Sequence, residues 1–276
     1  METAEDLRFR LKLHYDGTHF FGWQMQKTER TVQGELEAAL KQLTGARRPV
    51  VGSGRTDRGV HATGQVAAVT LPSRWQGDNL KRALNAVLPS DIWVQEVASV
   101  PLEFNPRYAA VARTYHYRVG TAPQAHSPFR RSWCWSLGVD LDVEMLHAAA
   151  AVLPGRHSFK SFAKAGQPER GEVCTIQSAV WRPWEDLGLE FEIIADRYLH
   201  HMVRYLVGTM IAIGRGSRPL ADLERLLDEP EGELETSPPA PPQGLFLSHV
   251  EYEVPEPGPT DTEHHSTLKT EAEPAS

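Results

Sequence analysis

The chain has 276 residues, 41% of them hydrophobic, which is enough to bury a core in one large domain or two small ones. No apolar run approaches the ~20 residues that span a bilayer, and the charged N-terminal stretch is unlike a signal peptide, so we expect a cytoplasmic protein with no membrane partner. The net charge of −7 is unevenly distributed. Residues 1–227 hold 28 Lys and Arg against 24 Asp and Glu, whereas residues 228–276 hold one Lys or Arg against 12 Asp and Glu. A mildly basic body therefore precedes an acidic tail, and the charge of the body permits an RNA partner.

The first hundred residues predict the order β-α-β-β-α-β. Apolar and polar residues alternate from Arg8 to Tyr15, with the period of two that is typical of a half-buried strand. A helix should follow between an N-cap at Thr31 and a stop at Gly45. Strand patterns then flank a glycine-rich loop, and a second helix over 78–88 and a strand over 91–97 complete the set.

The second half repeats this order in outline. It predicts a strand over 107–119, a helix over 142–153, paired strands over 172–181 and 187–195, a strongly apolar helix over 199–213, a shorter helix over 220–227 and a closing strand over 245–254. We therefore predict an α+β fold with two ferredoxin-like (RRM-like) units that share a mixed, mostly antiparallel central sheet with helices packed on it. The predicted units are 1–106 and 107–254, followed by a disordered acidic tail, 255–276.

The glycine-rich loop VGSGRTDRGVHATGQV places Arg55, Asp57, Arg58 and His61 on a backbone that can adopt positive φ angles and approach a ligand closely. A tight hairpin whose aspartate accepts backbone hydrogen bonds and pairs with an arginine explains the same pattern structurally. A phosphate cradle is a third alternative, but neither the P-loop nor the dinucleotide-binding glycine pattern is present. The composition of the loop alone leaves these alternatives open.

The segment GRTDRGVHATGQV resembles the catalytic-loop motif of the TruA family of tRNA pseudouridine synthases. Five further segments match the family in its order, and the six segments are spread over nearly all of the range 8–252: YDGTHFFGWQMQ, FNPRYAAVARTYHYRV, HSFKSF, YLHHMVRYLVGTM and PPQGLFLSHVEY. The resemblance implies that uridine is isomerised to pseudouridine at positions 38, 39 and 40 of the tRNA anticodon stem-loop. It also implies a homodimer, no cofactor and no metal ion.

The resemblance assigns the catalytic carboxylate to Asp57, because the reaction breaks a glycosidic bond and needs a carboxylate at the ribose or the base. Arg55 would position this carboxylate through a charge-assisted hydrogen bond. Whether Asp57 attacks C1′, adds to the base or removes a C2′ proton stays open. Tyr115 corresponds to the family tyrosine that stacks on the uracil ring and assists proton removal at C5, although a strand tyrosine is also a common half-buried residue.

Arg204 corresponds to a family arginine at the catalytic aspartate. An arginine in an apolar helix needs an anionic partner, which predicts Asp57 or a phosphate group, whereas an arginine that reaches the surface would need none. We also expect Arg58 and His61 to contact the substrate. Two departures limit the transfer: Arg58 stands where many members have a small residue, and Cys174 stands where many have an arginine.

A metal centre is not expected. His200 and His201 are candidate ligands, with His61 and His116 as possible co-ligands, but adjacent histidines in a helix point to different faces and lack the H-E-x-x-H spacing of zinc-binding helices. The two cysteines, Cys134 and Cys174, are predicted to be free thiols. Two other functions compete with the synthase: a catalytically silent RNA-binding module, and a small-molecule transferase that holds phosphate in the glycine-rich loop.

Overall fold

One mixed sheet runs through the chain in the computed structural model, which describes residues 6–164 and 171–253. Its strands are β1 (Asp6–Tyr15), β2 (Val51–Gly52), β3 (His61–Pro72), β4 (Ile92–Val100), β5 (Ala110–Gly120), β6 (Trp135–Ser136), β7 (Gly155–Ser158), β8 (Val173–Trp184), β9 (Gly188–Ala195) and β10 (Leu245–Tyr252). Its helices are α1 (Val32–Thr44), α2 (Gly77–Val87), α3 (Val143–Ala151), α4 (Met202–Gly214) and α5 (Leu220–Asp228).

The N-terminal unit consists of β1–β4 with α1 and α2. β1 pairs antiparallel with β3 and β4, and β2 pairs antiparallel with β3, so the strand order is β4-β1-β3-β2. This is the order of a ferredoxin-like unit, and it confirms the predicted β-α-β-β-α-β arrangement. The predicted helix caps are also confirmed, because the Thr31 side chain accepts a hydrogen bond from the Gly34 N–H and Gly45 adopts φ 76°.

The C-terminal unit consists of β5–β10 with α3, α4 and α5, and it repeats that order. β5 lies between β9 and β10, and β8 pairs with β9, which gives β10-β5-β9-β8. The two units meet where β10 runs parallel to one end of β3, with Phe246 opposite His61. Gly64 is required beside this junction, because a Cβ there would lie 1.9 Å from the Ser248 carbonyl oxygen. The predicted fold of two units on one mixed sheet is confirmed.

The helices pack on the sheet, and buried residues alternate with more exposed ones along the strands that face them. In β1, Phe9, Leu11 and Leu13 are fully buried, as their spacing predicts. α4 buries ten of its thirteen residues, but it begins at Met202 rather than at Leu199. The helix starts later than predicted because His201 adopts a left-handed conformation, with φ 66°.

The predicted division at 106/107 falls in the connection between β4 and β5, and the units' independence stays a prediction. The predicted acidic tail, 255–276, lies outside the described residues. Across the described ranges, every helix is too short or too polar to span a bilayer.

Candidate active site

The catalytic-loop motif forms the connection between β2 and β3, residues 53–60, and hydrogen bonds hold both of its ends. The Ser53 N–H donates to the Val66 carbonyl at 2.8 Å, and the Ser53 hydroxyl donates to the Gln65 side chain at 2.8 Å. Gln65 also donates to the Gly54 carbonyl at 3.0 Å. The buried guanidinium of Arg113 donates to the Ser53 carbonyl at 2.9 Å. These contacts fix the backbone that presents Asp57.

The segment 16–24 packs directly against this loop. The Trp23 N–H donates to the Thr56 carbonyl at 3.0 Å, and the Gly59 N–H donates to the Phe20 carbonyl at 3.2 Å. Glycine is required at two points of close approach, because a Cβ at Gly17 would lie 2.1 Å from the Val60 carbonyl oxygen and one at Gly22 would lie 2.6 Å from the Thr56 carbonyl oxygen. The motif YDGTHFFGWQMQ therefore supports the loop through close backbone contacts.

Three cationic or imidazole groups surround the Asp57 carboxylate. Its Oδ1 lies 3.3 Å from His200 Nε2, and its Oδ2 lies 3.4 Å from His201 Nε2 and 3.5 Å from Arg204 Nη1. The Asp57 side chain is only 19% exposed. Arg55 is exposed and forms no ion pair with Asp57, so the predicted pairing of Arg55 with Asp57 is wrong. The cation beside the Asp57 carboxylate comes from α4 instead.

The first turn of α4 is built to receive this carboxylate. His201 caps the helix with φ 66°, a conformation that costs free energy for a residue other than glycine. The Arg204 guanidinium is held by a 2.7 Å hydrogen bond from Nε to the Ala240 carbonyl, which leaves Nη1 directed to Asp57. The partial positive charge of a helix N-terminus adds to the attraction for an anion. Arg204 thus lies beside Asp57, as the sequence predicts.

Asp57 opens into a cleft with a volume of about 1010 Å³. Asp57 is its only carboxylate among the described residues, whereas Arg58, Arg131 and Arg204 supply positive charge. The other lining residues are Thr18, Gly59, His126, Ser132, Trp135, Ser136, His201, Pro241, Pro242 and Gln243. The volume is at the upper end of the range for small-molecule sites, roughly 300–1,000 Å³, and the charge favours a polyanionic substrate.

Tyr115 lies in β5 and is 8% exposed. Its ring packs edge-on against Tyr198, with the ring centroids 4.9 Å apart, and its hydroxyl forms no hydrogen bond within the described part of the chain. Burial, reinforced by the nearby Tyr15 hydroxyl and the Asp57 carboxylate, raises the pKa of the Tyr115 hydroxyl far above its usual value. Tyr115 is not among the residues that line the cleft, so its predicted contact with the base stays a prediction.

Arg58 and His61 have different environments. The exposed Arg58 side chain lines the cleft, and its guanidinium lies 4.1 Å from the centre of the Phe21 ring. His61 is fully buried and packs against both Trp133 and Phe246, whose rings also contact each other, and its Nδ1 accepts a hydrogen bond from the Gly17 N–H. This contradicts the predicted role of His61 as a substrate contact, because its ring is enclosed by packed aromatic residues and anchors the loop.

The histidines of the motif YLHHMVRYLVGTM also differ from the prediction. His200 and His201 precede α4, and both rings face Asp57 with their centroids 4.1 Å apart, so they do not point to different helix faces. His116 is elsewhere, 2.9 Å from Glu190. Both cysteines are free and buried, as predicted, and burial raises the pKa of Cys174 to about 11. Cys174 is only 1% exposed, so its thiol lies in the core rather than on a surface that RNA could contact.

Sequence reasoning missed the residues that brace the loop. Tyr15 and Thr56 share a 2.8 Å hydrogen bond between their hydroxyl groups, and Gln65 and Arg113 bind loop carbonyls. Polar residues at buried strand positions are a signal for such contacts, because a buried polar group needs a partner. Both Gln65 and Arg113 interrupt apolar strand patterns and satisfy this criterion.

The duplicated α+β fold places one carboxylate in an arginine-lined cleft, an arrangement that suits an enzyme acting on a polyanionic substrate. Residues 13–109 and 149–253 match the model of a family described as tRNA pseudouridine synthase, and the chain belongs to this family, whose members isomerise uridine to pseudouridine in tRNA. The chain is 40% identical to tRNA pseudouridine synthase A of Geobacillus sp. (strain WCH70) over 247 residues, which are 89% of this chain and 98% of the relative.

Two further relatives carry the same name. The protein of Halalkalibacterium halodurans is 43% identical over 222 residues, 80% of this chain and 83% of the relative, and that of Thermosipho africanus is 41% identical over 245 residues, 88% and 98% respectively. The predicted resemblance to the TruA family and the predicted isomerase class are confirmed.

Proposed function

We propose that Asp57 is the catalytic carboxylate and that the targets are the uridines at positions 38, 39 and 40 of the tRNA anticodon stem-loop. The observation that carries the proposal is the position of Asp57 as the one described carboxylate of a cleft otherwise lined with arginine, histidine and neutral groups. A phosphate backbone would be attracted to these cations, and the base that it carries would be brought to Asp57.

The isomerisation breaks the N1–C1′ bond of uridine and joins C5 to C1′, while C5 loses a proton and N1 gains one. No redox change occurs, so a carboxylate can serve as nucleophile or base. Attack on C1′, addition to the base and removal of a C2′ proton all require an oriented carboxylate. Arg204 supplies this orientation, since its guanidinium is fixed by Ala240 and reaches Oδ2 of Asp57.

We propose that Tyr115 assists through its protonated hydroxyl. Its raised pKa, caused mainly by burial, disfavours the phenolate, so proton removal by tyrosinate is a poor match to its environment. A phenol that lacks a hydrogen-bond partner among residues 6–164 and 171–253 is instead free to donate to the base or ribose. The exposed guanidiniums of Arg58 and Arg131 are placed for phosphate contacts along the cleft.

The experiment is incubation of the purified chain with unmodified tRNA, followed by chemical mapping of pseudouridine at single-nucleotide resolution. We expect modification at whichever of positions 38, 39 and 40 holds uridine. A matched tRNA with cytidine at all three positions should acquire no pseudouridine. Modification confined to other positions, or equal modification of the matched tRNA, would overturn the assignment of the anticodon stem-loop.

We further propose a cytoplasmic homodimer. One subunit of this size is too small to contact both the anticodon stem-loop and the elbow of a tRNA, so a second subunit would provide the remaining surface. Light scattering at micromolar concentration should give twice the chain mass for the protein alone, and the mass of two chains plus the bound RNA when tRNA is added. A mass that corresponds to one chain under both conditions, after the RNA is subtracted, would contradict the proposal.

A further inference from the structure

Three ligand-type atoms converge at the edge of the cleft, which Asp57 and His201 line. A carboxylate oxygen of Asp57 and one ring nitrogen each of His200 and His201 all lie within 4.8 Å of one another, and no other His, Cys, Asp or Glu cluster of this kind occurs in residues 6–164 and 171–253. All three side chains reach solvent, with exposed fractions of 19%, 56% and 20%. We propose that Asp57, His200 and His201 form a binding site for a divalent transition-metal ion of the Zn²⁺ class, and that occupancy inhibits the enzyme.

The spacing suits such an ion without a change of backbone. Ligand atoms about 2.05 Å from a tetrahedral Zn²⁺ are about 3.4 Å from one another. The two carboxylate oxygens of Asp57 each lie near this distance from one imidazole, with 3.3 Å between Oδ1 and His200 Nε2 and 3.4 Å between Oδ2 and His201 Nε2, and one ligand atom from each of the three residues lies within 4.8 Å of the others. Two imidazole nitrogens and one carboxylate are also a common three-ligand set for zinc, and the fourth position would open into the cleft for water.

The backbone presents the two imidazoles as a pair. Adjacent residues within a helix point to different faces, but His201 adopts φ 66° immediately before α4, and this turns both rings toward Asp57. The chelating geometry therefore results from the left-handed residue at the helix start. It does not depend on the spacing that identifies zinc-binding helices.

Arg204 determines the consequence of binding. Its Nη1 lies 3.5 Å from the same Asp57 oxygen that faces His201, so a bound dication would repel the guanidinium and displace it from the carboxylate. Metal binding would thus occupy Asp57 and separate it from its positioning residue at once. The ion acts as a reversible inhibitor that competes with substrate, and this inhibitory effect rests on the proposed catalytic role of Asp57.

The first experiment measures binding alone, without RNA, so that it does not depend on the proposed function. Isothermal titration of the full-length chain with Zn²⁺ should show one site, and Co²⁺ should develop the visible absorption of a tetrahedral complex. His200→Gln and His201→Gln should each weaken Zn²⁺ binding by about tenfold or more, or about 1.4 kcal/mol. His126→Gln, which alters a cleft histidine outside the cluster, should bind Zn²⁺ as the parent does.

Equal Zn²⁺ affinity in the parent and in both cluster variants would overturn the proposal, as would a parent that binds no Zn²⁺ at sub-millimolar concentration. Thermal melting of each variant establishes that it is folded.

The second experiment adds Zn²⁺ to the tRNA reaction and then a chelator. We expect inhibition that the chelator reverses and that is weaker in His200→Gln. Binding without inhibition would overturn the inhibitory role, and an enzyme that lacks activity before Zn²⁺ is added would instead contradict the proposed function.

Discussion

The connection between the second and third strands differs between the two ferredoxin-like units. In the N-terminal unit it comprises residues 53–60, which rise over segment 16–24 and carry Asp57. In the C-terminal unit it comprises only residues 185–187, a tight turn with Glu185 at φ 48°. The longer connection contains one carboxylate, Asp57, and the shorter one contains two, Glu185 and Asp186. In the described part of the chain, Glu185 pairs with the exposed Arg130. The two units therefore share a strand order, but only the longer connection carries a carboxylate into the cleft.

The second helix of each unit also differs, and here the C-terminal unit has the more elaborate element. α2 buries only Leu80 and Leu84, whereas α4 buries ten residues and directs Arg204 across the unit junction to Asp57. The N-terminal unit provides the carboxylate, and the C-terminal unit provides the groups that orient it. On the proposed catalytic role of Asp57, the site is complete only at the junction, because each unit alone holds part of it.

Removal of the cross-junction cation should have the largest effect of the variants that leave Asp57 in place. We expect Arg204→Met to lower the rate of pseudouridine formation by about a hundredfold, or about 2.7 kcal/mol, because the carboxylate loses its orienting partner. Arg204→Lys should be intermediate, since an ammonium group cannot bind both Asp57 and the Ala240 carbonyl. Single-turnover rates measure both. Parent-like rates for Arg204→Met would show that the junction contact is dispensable.

The junction can also be broken through the backbone. Gly64→Ala should lower the free energy of unfolding by about 2 kcal/mol, because its Cβ would overlap the Ser248 carbonyl of β10. Gly54→Ala is the matched control, since a Cβ there meets no atom within 4 Å. Urea denaturation of both variants gives the comparison. Equal stability of the two would mean that β3 and β10 separate at little cost.

Tyr115→Phe should have a smaller effect on catalysis. The ring and its packing against Tyr198 remain, whereas the hydroxyl that could donate to the substrate is lost. We expect tRNA affinity to be unchanged and the single-turnover rate to fall about tenfold. An unchanged rate would reduce Tyr115 to a packing residue, and a large loss of affinity would assign it to binding.

The smallest effect on activity is expected from a substitution in the short turn of the C-terminal unit. Glu185→Gln removes one exposed ion pair with Arg130, which is worth less than about 1 kcal/mol. The rate of modification and the tRNA affinity should be within twofold of the parent. A substantial loss of activity would show that the two turns are not divided in function as the structure indicates.

The elements that local chemistry determines were predictable from the sequence. Alternation in β1 and the capping groups at Thr31 and Gly45 act over a few residues, so the sequence pattern contains them. The start of α4 was not predictable in this way. The apolar periodicity of α4 extends back to Leu199 and so predicts an earlier start. The left-handed His201 contacts Asp57 across the junction, and a local sequence pattern does not contain such a contact.

The site was predictable in its members but not in all of their contacts. Proximity in sequence favoured Arg55 as the partner of Asp57, whereas tertiary structure places Arg204 there. His61 belongs to the same motif, yet Trp133 and Phe246 come from distant segments to enclose it. A motif identifies which residues matter, and the packing of remote segments decides whether each one reaches the substrate or supports the loop.

The most direct test of the central claim is the single-turnover rate of pseudouridine formation by Asp57→Asn, with melting curves and tRNA titrations on the same preparation. The amide preserves the shape of the side chain but is neither a base nor a useful nucleophile at neutral pH. We predict a parent-like melting temperature, tRNA affinity equal to or slightly above that of the parent, and no detectable pseudouridine at positions 38, 39 and 40. Pseudouridine formation at a rate near that of the parent would contradict the assignment of Asp57 as the catalytic carboxylate.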